Sequence, residues 1–181
     1  MSRTNREIKM RRVSIAVMIL VTFVFLFAIA LTVQAGPPES VSGLWFYTPS
    51  IVGAREDGCN THLTTFEDSN WQDDGSGDAA FVGHSIEEGT VIIHCAGNWS
   101  FKANVYFDDV AVDGRSGTLV MTVNGSRPDA TADWFGYWTI TGGGGELENL
   151  RGQGTFWGPG APAPGQQGDI YYEGRIHFEP N

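Results

Sequence analysis

From Ser42 to Phe178 the chain alternates apolar and polar residues, and Gly, Asp and Asn punctuate the alternation. Successive strand side chains point to opposite faces, so a period of two reads as strands with one face buried and one wet. Trp99-Ser100-Phe101-Lys102-Ala103-Asn104-Val105-Tyr106-Phe107 shows it most clearly. The same criterion predicts strands over Ser42–Thr48, Ala79–Glu87, Thr90–Cys95, Trp99–Asp108, Thr118–Asn124, Trp134–Thr141, Gly152–Trp157 and Ile170–Phe178. Asp113-Gly114 and Asn124-Gly125 are strong turn signals, and Glu88-Gly89 is a weaker one. The only helical signal is one turn, Glu146–Leu150, squeezed between Gly142–Gly145 and Gly152. Eight short strands joined by tight turns predict an all-β domain, a barrel or a sandwich.

Glycine placement favours the closed barrel. Gly136, Gly152, Gly154 and Gly174 interrupt predicted strands, where glycine weakens the strand and marks a bend or the close approach of a large neighbour. Trp134, Phe135, Tyr137, Trp138, Phe156 and Trp157 supply large neighbours nearby. Two segments resist assignment. Pro49–Gln72 contains Cys59 and carries a trace of an irregular strand near His62–Glu67, and Gly158–Gly168 reads as an exposed Pro-rich loop. In a closed barrel of about eight antiparallel strands, Ile170–Phe178 pairs with Gly152–Trp157 on one edge and with Ser42–Thr48 on the other. Its alternation sets Tyr172, Gly174, Ile176 and Phe178 against the core, with Tyr171, Glu173, Arg175 and His177 facing outward.

The first 35 residues follow another pattern. Arg3, Arg6, Lys9, Arg11 and Arg12 precede an apolar run from Val13 to Val33, and Val33-Gln34-Ala35 offers a signal-peptidase site. This is the layout of a secretory signal peptide. The run is also long enough to remain as a membrane anchor, so residues 1–35 have two fates, with the barrel domain occupying 36–181. Ser14 after Arg11-Arg12 and the strongly apolar run favour Sec export over the twin-arginine route. No Cys follows the run before Cys59, which argues against a lipid-anchored form. The expected location is extracytoplasmic, secreted or periplasmic, or membrane-anchored and facing outward.

Removing that segment sharpens the charge. It holds five of the 11 Lys and Arg residues and one of the 21 acidic residues, so residues 36–181 carry six basic and 20 acidic groups, a net −14. A polyanion of this kind is unsuited to nucleic acid or anionic membrane. Cys59 and Cys95 are the only cysteines, and in an exported chain an even pair reads as a disulfide rather than two thiols.

Four C-terminal segments carry a resemblance. They are Gly114-Arg115-Ser116-Gly117-Thr118-Leu119, Trp138–Gly142, Gly145–Phe156 and Tyr172–Phe178. Together they resemble the allene oxide cyclase barrel-like proteins, in particular a bacterial branch of unknown function, over about Trp99 to Asn181. The resemblance implies an eight-stranded antiparallel barrel related in shape to lipocalins and plant dirigent proteins. It transfers no function, because that fold hosts cyclases, stereochemical guides and proteins without a known role.

Motif chemistry is sparse. His62, His84, His94 and His177 are dispersed without metal-ligand spacing, so no metal site is expected. There is no G-x-S-x-G elbow, and Gly142–Gly145 lacks the Lys and helix of a phosphate loop. No cofactor is implied. Asp73-Asp74-Gly75-Ser76-Gly77-Asp78 has the oxygen ligands calcium needs but fails the EF-hand spacing, and reads first as a solvated turn. Asn98-Trp99-Ser100 and Asn124-Gly125-Ser126 are glycosylation sequons.

Three functional readings follow. The first is a non-catalytic binder of a small apolar ligand or a protein partner. The second is a cofactor-free cyclase or isomerase acting on an apolar substrate inside the barrel. The third is a structural envelope component. An aromatic-lined cavity of ~300 Å³ or more favours the first two. A buried carboxylate or histidine with a shifted pKa beside it favours the enzyme. Catalytic and ligand-binding residues are not legible from the sequence. Sequencing of protein recovered from the extracytoplasmic fraction is expected to begin at Gly36, whereas an intact Met1 in the membrane fraction would establish the anchored form.

Overall fold

The computed structural model describes residues 36–180. The expected signal or anchor over residues 1–35, and the cleavage that exposes Gly36, lie outside the described residues. Eight strands follow: β1 (Glu39–Asp57), β2 (Asn60–Gln72), β3 (Val82–Ile93), β4 (Trp99–Val112), β5 (Arg115–Arg127), β6 (Trp134–Gly145), β7 (Leu150–Gly158) and β8 (Gly168–Phe178). Each pairs antiparallel with the next, and β8 returns to β1 to close the barrel in sequence order. Trp45 lies opposite Ile170 and Val41 opposite Gly174 across that seam. Closure pairs the first and last strands through Tyr47, beyond which β1 continues as a hairpin with β2 alone. The expected parity of β8 holds, with Tyr172 and Ile176 buried and Tyr171, Glu173 and Arg175 exposed.

Several sequence expectations are corrected. Pro49–Gln72 is not irregular: it finishes the long β1 and supplies all of β2. The predicted strands Ala79–Glu87 and Thr90–Cys95 are one strand, β3, and Glu88-Gly89 is not a turn. Gly89 is there because its inward side is already occupied by Ala103 and Thr65. Asn124-Gly125 is likewise inside β5, with Gly125 beneath the Phe156 ring, whereas Asp113-Gly114 is the hairpin turn expected. One strand was missed and one divided, so the total of eight survives by compensation. Glu146–Asn149 forms a hydrogen-bonded turn rather than a helix. Phe135, Tyr137 and Trp157 lie on the outer face, not against the glycines.

The barrel interior is packed with rings. The Trp138 indole lies against Gly154 and Gly174, and its N–H donates to the carbonyls of Thr155 and Glu173 at 3.2 Å each. Trp45 and Trp71 stack at 4.7 Å and 10°. One end of the barrel is stoppered by the segment between β2 and β3. Ala79 bridges Val41, and Phe81 enters the core at 0% exposure, 5.4 Å from Trp138 and 5.5 Å from Tyr172. The Phe81 N–H donates to the Tyr172 hydroxyl at 2.8 Å, and that hydroxyl donates to the Phe81 carbonyl at 3.3 Å. Leu147, fully buried in the β6–β7 turn, sits at the same end.

At the opposite end Cys59, in the β1–β2 turn, is bonded to Cys95, in the β3–β4 turn, with Cα atoms 5.2 Å apart. The bridge cross-links the tips of two hairpins across 36 residues, which in the chain-entropy model stabilises by ~3–4 kcal/mol. The double variant Cys59→Ala/Cys95→Ala is therefore expected to lower unfolding free energy by about that amount in denaturant titrations. A midpoint unmoved by the double substitution contradicts this role.

Candidate functional site

Alternation along β2 is fixed by Trp71, which is 1% exposed. Counting back by two places Ser69, Glu67 and Thr65 inside the barrel, and all three are buried. On β3, Val91 fixes the same parity and brings Glu87 and Ser85 inward. The register sets Ser69 opposite Ser85, Glu67 opposite Glu87 and Thr65 opposite Gly89. Two strands of an aromatic barrel thus carry a polar stripe on their inner faces.

The stripe is only partly satisfied. Ser69 donates from Oγ to Glu87 Oε1 at 2.7 Å and receives the Trp45 indole N–H at 3.3 Å. The Trp71 indole N–H donates to Ser85 Oγ at 2.9 Å. Glu87 Oε2 and Thr65 Oγ1, both buried, have no hydrogen-bond partner among the described residues. Buried side-chain polar atoms are mostly paired, so two such orphans on adjoining strands are informative.

Burial also decides the charge state. Glu67 is 4% exposed and Glu87 0%. Loss of water raises the Glu67 pKa from 4.5 to about 7. Glu87 is pushed well above 4.5, by desolvation first and by the Glu67 charge second, against the opposing Ser69 hydrogen bond. Like charges in one dry site disfavour double ionisation, so the pair retains a proton at neutral pH. The protonated carboxyl is a hydrogen-bond donor as well as an acceptor.

Above the stripe a cavity of about 170 Å³ opens at the disulfide end of the barrel. Trp45, Tyr47, Phe101, Trp134, Phe156 and Ile170 form its walls, and Thr65 and Glu67 its polar side. Ala161–Pro164 of the β7–β8 loop reaches the mouth. That loop is held down by the Ala161 N–H, which donates to the Tyr47 hydroxyl at 2.9 Å, and by the Gly165 N–H, which donates to the Pro49 carbonyl at 2.8 Å. Arg127, the last residue of β5, also lines the cavity, its guanidinium carbon 4.0 Å from the Trp99 ring and 4.6 Å from the Trp134 ring.

The residues singled out by sequence lie elsewhere. His84 contacts Asp68 at 2.6 Å on the outer face, His94 contacts Ser100 at 2.9 Å in the β3–β4 hairpin, and His62 lies 4.0 Å from Asp57. No two histidines share a site among these contacts. In the acidic loop, Asp73 accepts the Gly75 N–H, Asp74 accepts the N–H and hydroxyl of Ser76, and Asp78 accepts the Ser40 hydroxyl at 2.5 Å. Its carboxylates tie the loop to itself and to β1. The Tyr171, Glu173 and Arg175 row faces outward and contributes nothing to the cavity.

The barrel has known structural counterparts. A protein of unknown function from the DUF3224 family of Shewanella oneidensis MR-1 superposes with a TM-score of 0.57 at 19% identity, over 80% of this chain and all of that one. The chains share the fold. The pterocarpan synthase dirigent protein GePTS1 aligns more loosely, with a TM-score of 0.45 at 11% identity, over 79% of this chain and 93% of that one. No protein-family model and no curated protein sequence matches the chain.

The carboxyl pair carries a pH signature. A carboxyl whose folded pKa is raised binds its proton more tightly folded than unfolded. Its stabilising contribution is full below the unfolded pKa near 4.5 and is lost as pH rises through about 7 for Glu67. Unfolding free energy is therefore expected to fall between those pH values, by up to ~1.4 kcal/mol per pH unit for each such group. Glu67→Gln should flatten the slope, since a neutral amide does not titrate. An unchanged slope in that variant contradicts the assignment.

Proposed function

We propose that the disulfide end of the barrel binds one small, mainly apolar molecule, held by the aromatic walls and oriented by Glu67 and Thr65, the stripe residues that line the cavity. The observation that carries this reading is a polar stripe with orphaned buried oxygens beside an aromatic cavity. A few convergent polar groups in an apolar pocket are the usual make-up of a ligand site. The cavity is smaller than the ~300 Å³ set as the expectation for a drug-sized ligand. A void of ~150 Å³ accommodates benzene, so 170 Å³ suits a single ring or a short branched chain.

A second reading, a cofactor-free isomerase or cyclase, is favoured by one feature. Glu67, with its pKa raised to about 7, is poised to take or give a proton near neutrality, and Glu87 beside it keeps the pair partly protonated. The resemblance of the C-terminal half to allene oxide cyclase barrel-like proteins supports a place in that superfamily. The purely structural reading fits the stoppered end, where Phe81, Trp138 and Tyr172 fill the interior, and does not explain the stripe. Export is part of the proposal, and a formed disulfide fits an oxidising, extracytoplasmic compartment.

Trp45 and Trp134 form part of the wall, so occupancy is visible in tryptophan fluorescence. Titration with a panel of single-ring acids, amides and alcohols is expected to give saturable changes for at least one member. Filling the cavity by Val91→Trp should abolish the response. A panel without any saturable response contradicts the reading. For the second reading, a molecule that co-purifies with the protein should be converted on incubation by the wild type and not by Glu67→Gln.

A further inference from the structure

Arg127 is the unexplained charge of this site. It is 9% exposed, and its Nε is buried without a hydrogen-bond partner among the described residues. Among the described residues no carboxylate lies within ion-pair distance of it, although Arg151 at the other end has Glu179 at 3.1 Å. Burial pulls its pKa down, with Tyr47 and then Asp129 acting against that shift. The Asp129 carboxylate is already engaged in its own turn, accepting the N–H and hydroxyl of Thr131 and the N–H of Ala132. The Tyr47 hydroxyl is turned to the Ala161 N–H. A guanidinium stays charged even when partly dried, and an unpaired buried charge is costly.

The Trp99 and Trp134 rings offset part of that cost by cation–π contact and fix the plane of the fork. Five fixed N–H donors at the rim of an apolar cavity match a carboxylate in bidentate geometry. The protein as a whole repels anions, with net charge −14 over residues 36–181. Any anion preference must therefore arise locally, and among the described residues Arg127 is the only cation lining the cavity.

We propose that the ligand of this cavity is a small organic acid, whose carboxylate pairs with Arg127 at the rim and whose ring or short chain lies among the aromatic walls toward Glu67. This rests on the cavity being a ligand site. The two ends of the site then do different work: Arg127 selects the anion, and the stripe, which keeps a proton near neutrality, donates to or accepts from a polar group at the far end. A single ring bearing one carboxylate is of the size that a cavity of about 170 Å³ admits.

The test compares benzoate with benzamide, its neutral counterpart of the same shape, on the disulfide-bonded protein near pH 6, by tryptophan fluorescence and by the Arg127 Nε–H resonance in NMR. Benzoate is expected to bind at least ~10-fold more tightly than benzamide, a difference of ~1.4 kcal/mol. It should also shift the Arg127 Nε–H resonance, which benzamide leaves in place. In Arg127→Met the preference should collapse to near one, while Arg175→Gln, on the outer face, should keep it. Equal affinity for the two compounds in the wild-type protein overturns the anion inference and leaves the cavity reading intact. Binding of neither overturns the anion inference, and the cavity reading falls with it when the rest of the single-ring panel also gives no saturable response. The wild-type comparison and the resonance shift decide the matter even if Arg127→Met folds poorly.

Discussion

Eight strands closed on themselves fix the interior volume, and the packing of large rings over glycines decides how that volume is shared. Trp138 lies over Gly154 and Gly174, and Phe156 over Gly125 and Gly136. A side chain at any of these four positions would meet backbone or ring atoms, so the rings can lie flat only because the glycines are there. Phe81, brought in from the β2–β3 connection and held by Tyr172, fills what remains at one end. Buried rings of this size each stabilise by several kcal/mol, judged by the ~3–5 kcal/mol typical of truncating one to alanine. Nothing equivalent fills the disulfide end.

The empty end is where the polar groups gather. An apolar pair at positions 67 and 87 would avoid the desolvation penalty that the two carboxyls incur. The chain instead places two carboxyls there, with Glu87 Oε2, Thr65 Oγ1 and Arg127 Nε all without a hydrogen-bond partner among the described residues. Each buried orphan costs ~1–3 kcal/mol. Of these groups Thr65 and Arg127 line the cavity, where a ligand presenting an acid at one end and a polar group at the other would reach them. Local rules broken without structural return are expected at functional sites.

The barrel was legible because alternation and glycine placement report directly on strand faces, and the closing seam between β8 and β1 followed from Ile170–Phe178. The site was less legible, for identifiable reasons. Treating Glu88-Gly89 as a turn cut β3 beside Glu87 and hid the parity that Val91 imposes. Leaving Pro49–Gln72 irregular hid Glu67, although counting back from Trp71 finds it. Reading Asn124-Gly125 as a turn ended β5 early and removed Arg127 from the face that Leu119, Met121 and Val123 define. In two of the three places a glycine needed for ring packing or a crowded inner face was taken for a glycine needed for a turn. Acid pairing across two strands leaves no motif in one stretch of sequence, so no local pattern announces Glu67 with Glu87.

The account stands on a dry carboxyl pair that keeps a proton in the neutral range, and carboxyl carbon chemical shifts read that directly. Glu67 and Glu87 side-chain carboxyl resonances, followed by NMR from acid to alkaline pH, are predicted to titrate well above 4.5, with Glu67 near 7, and to change their midpoints when the cavity is occupied. Both resonances titrating together near 4.5, unaffected by any single-ring compound, would contradict it.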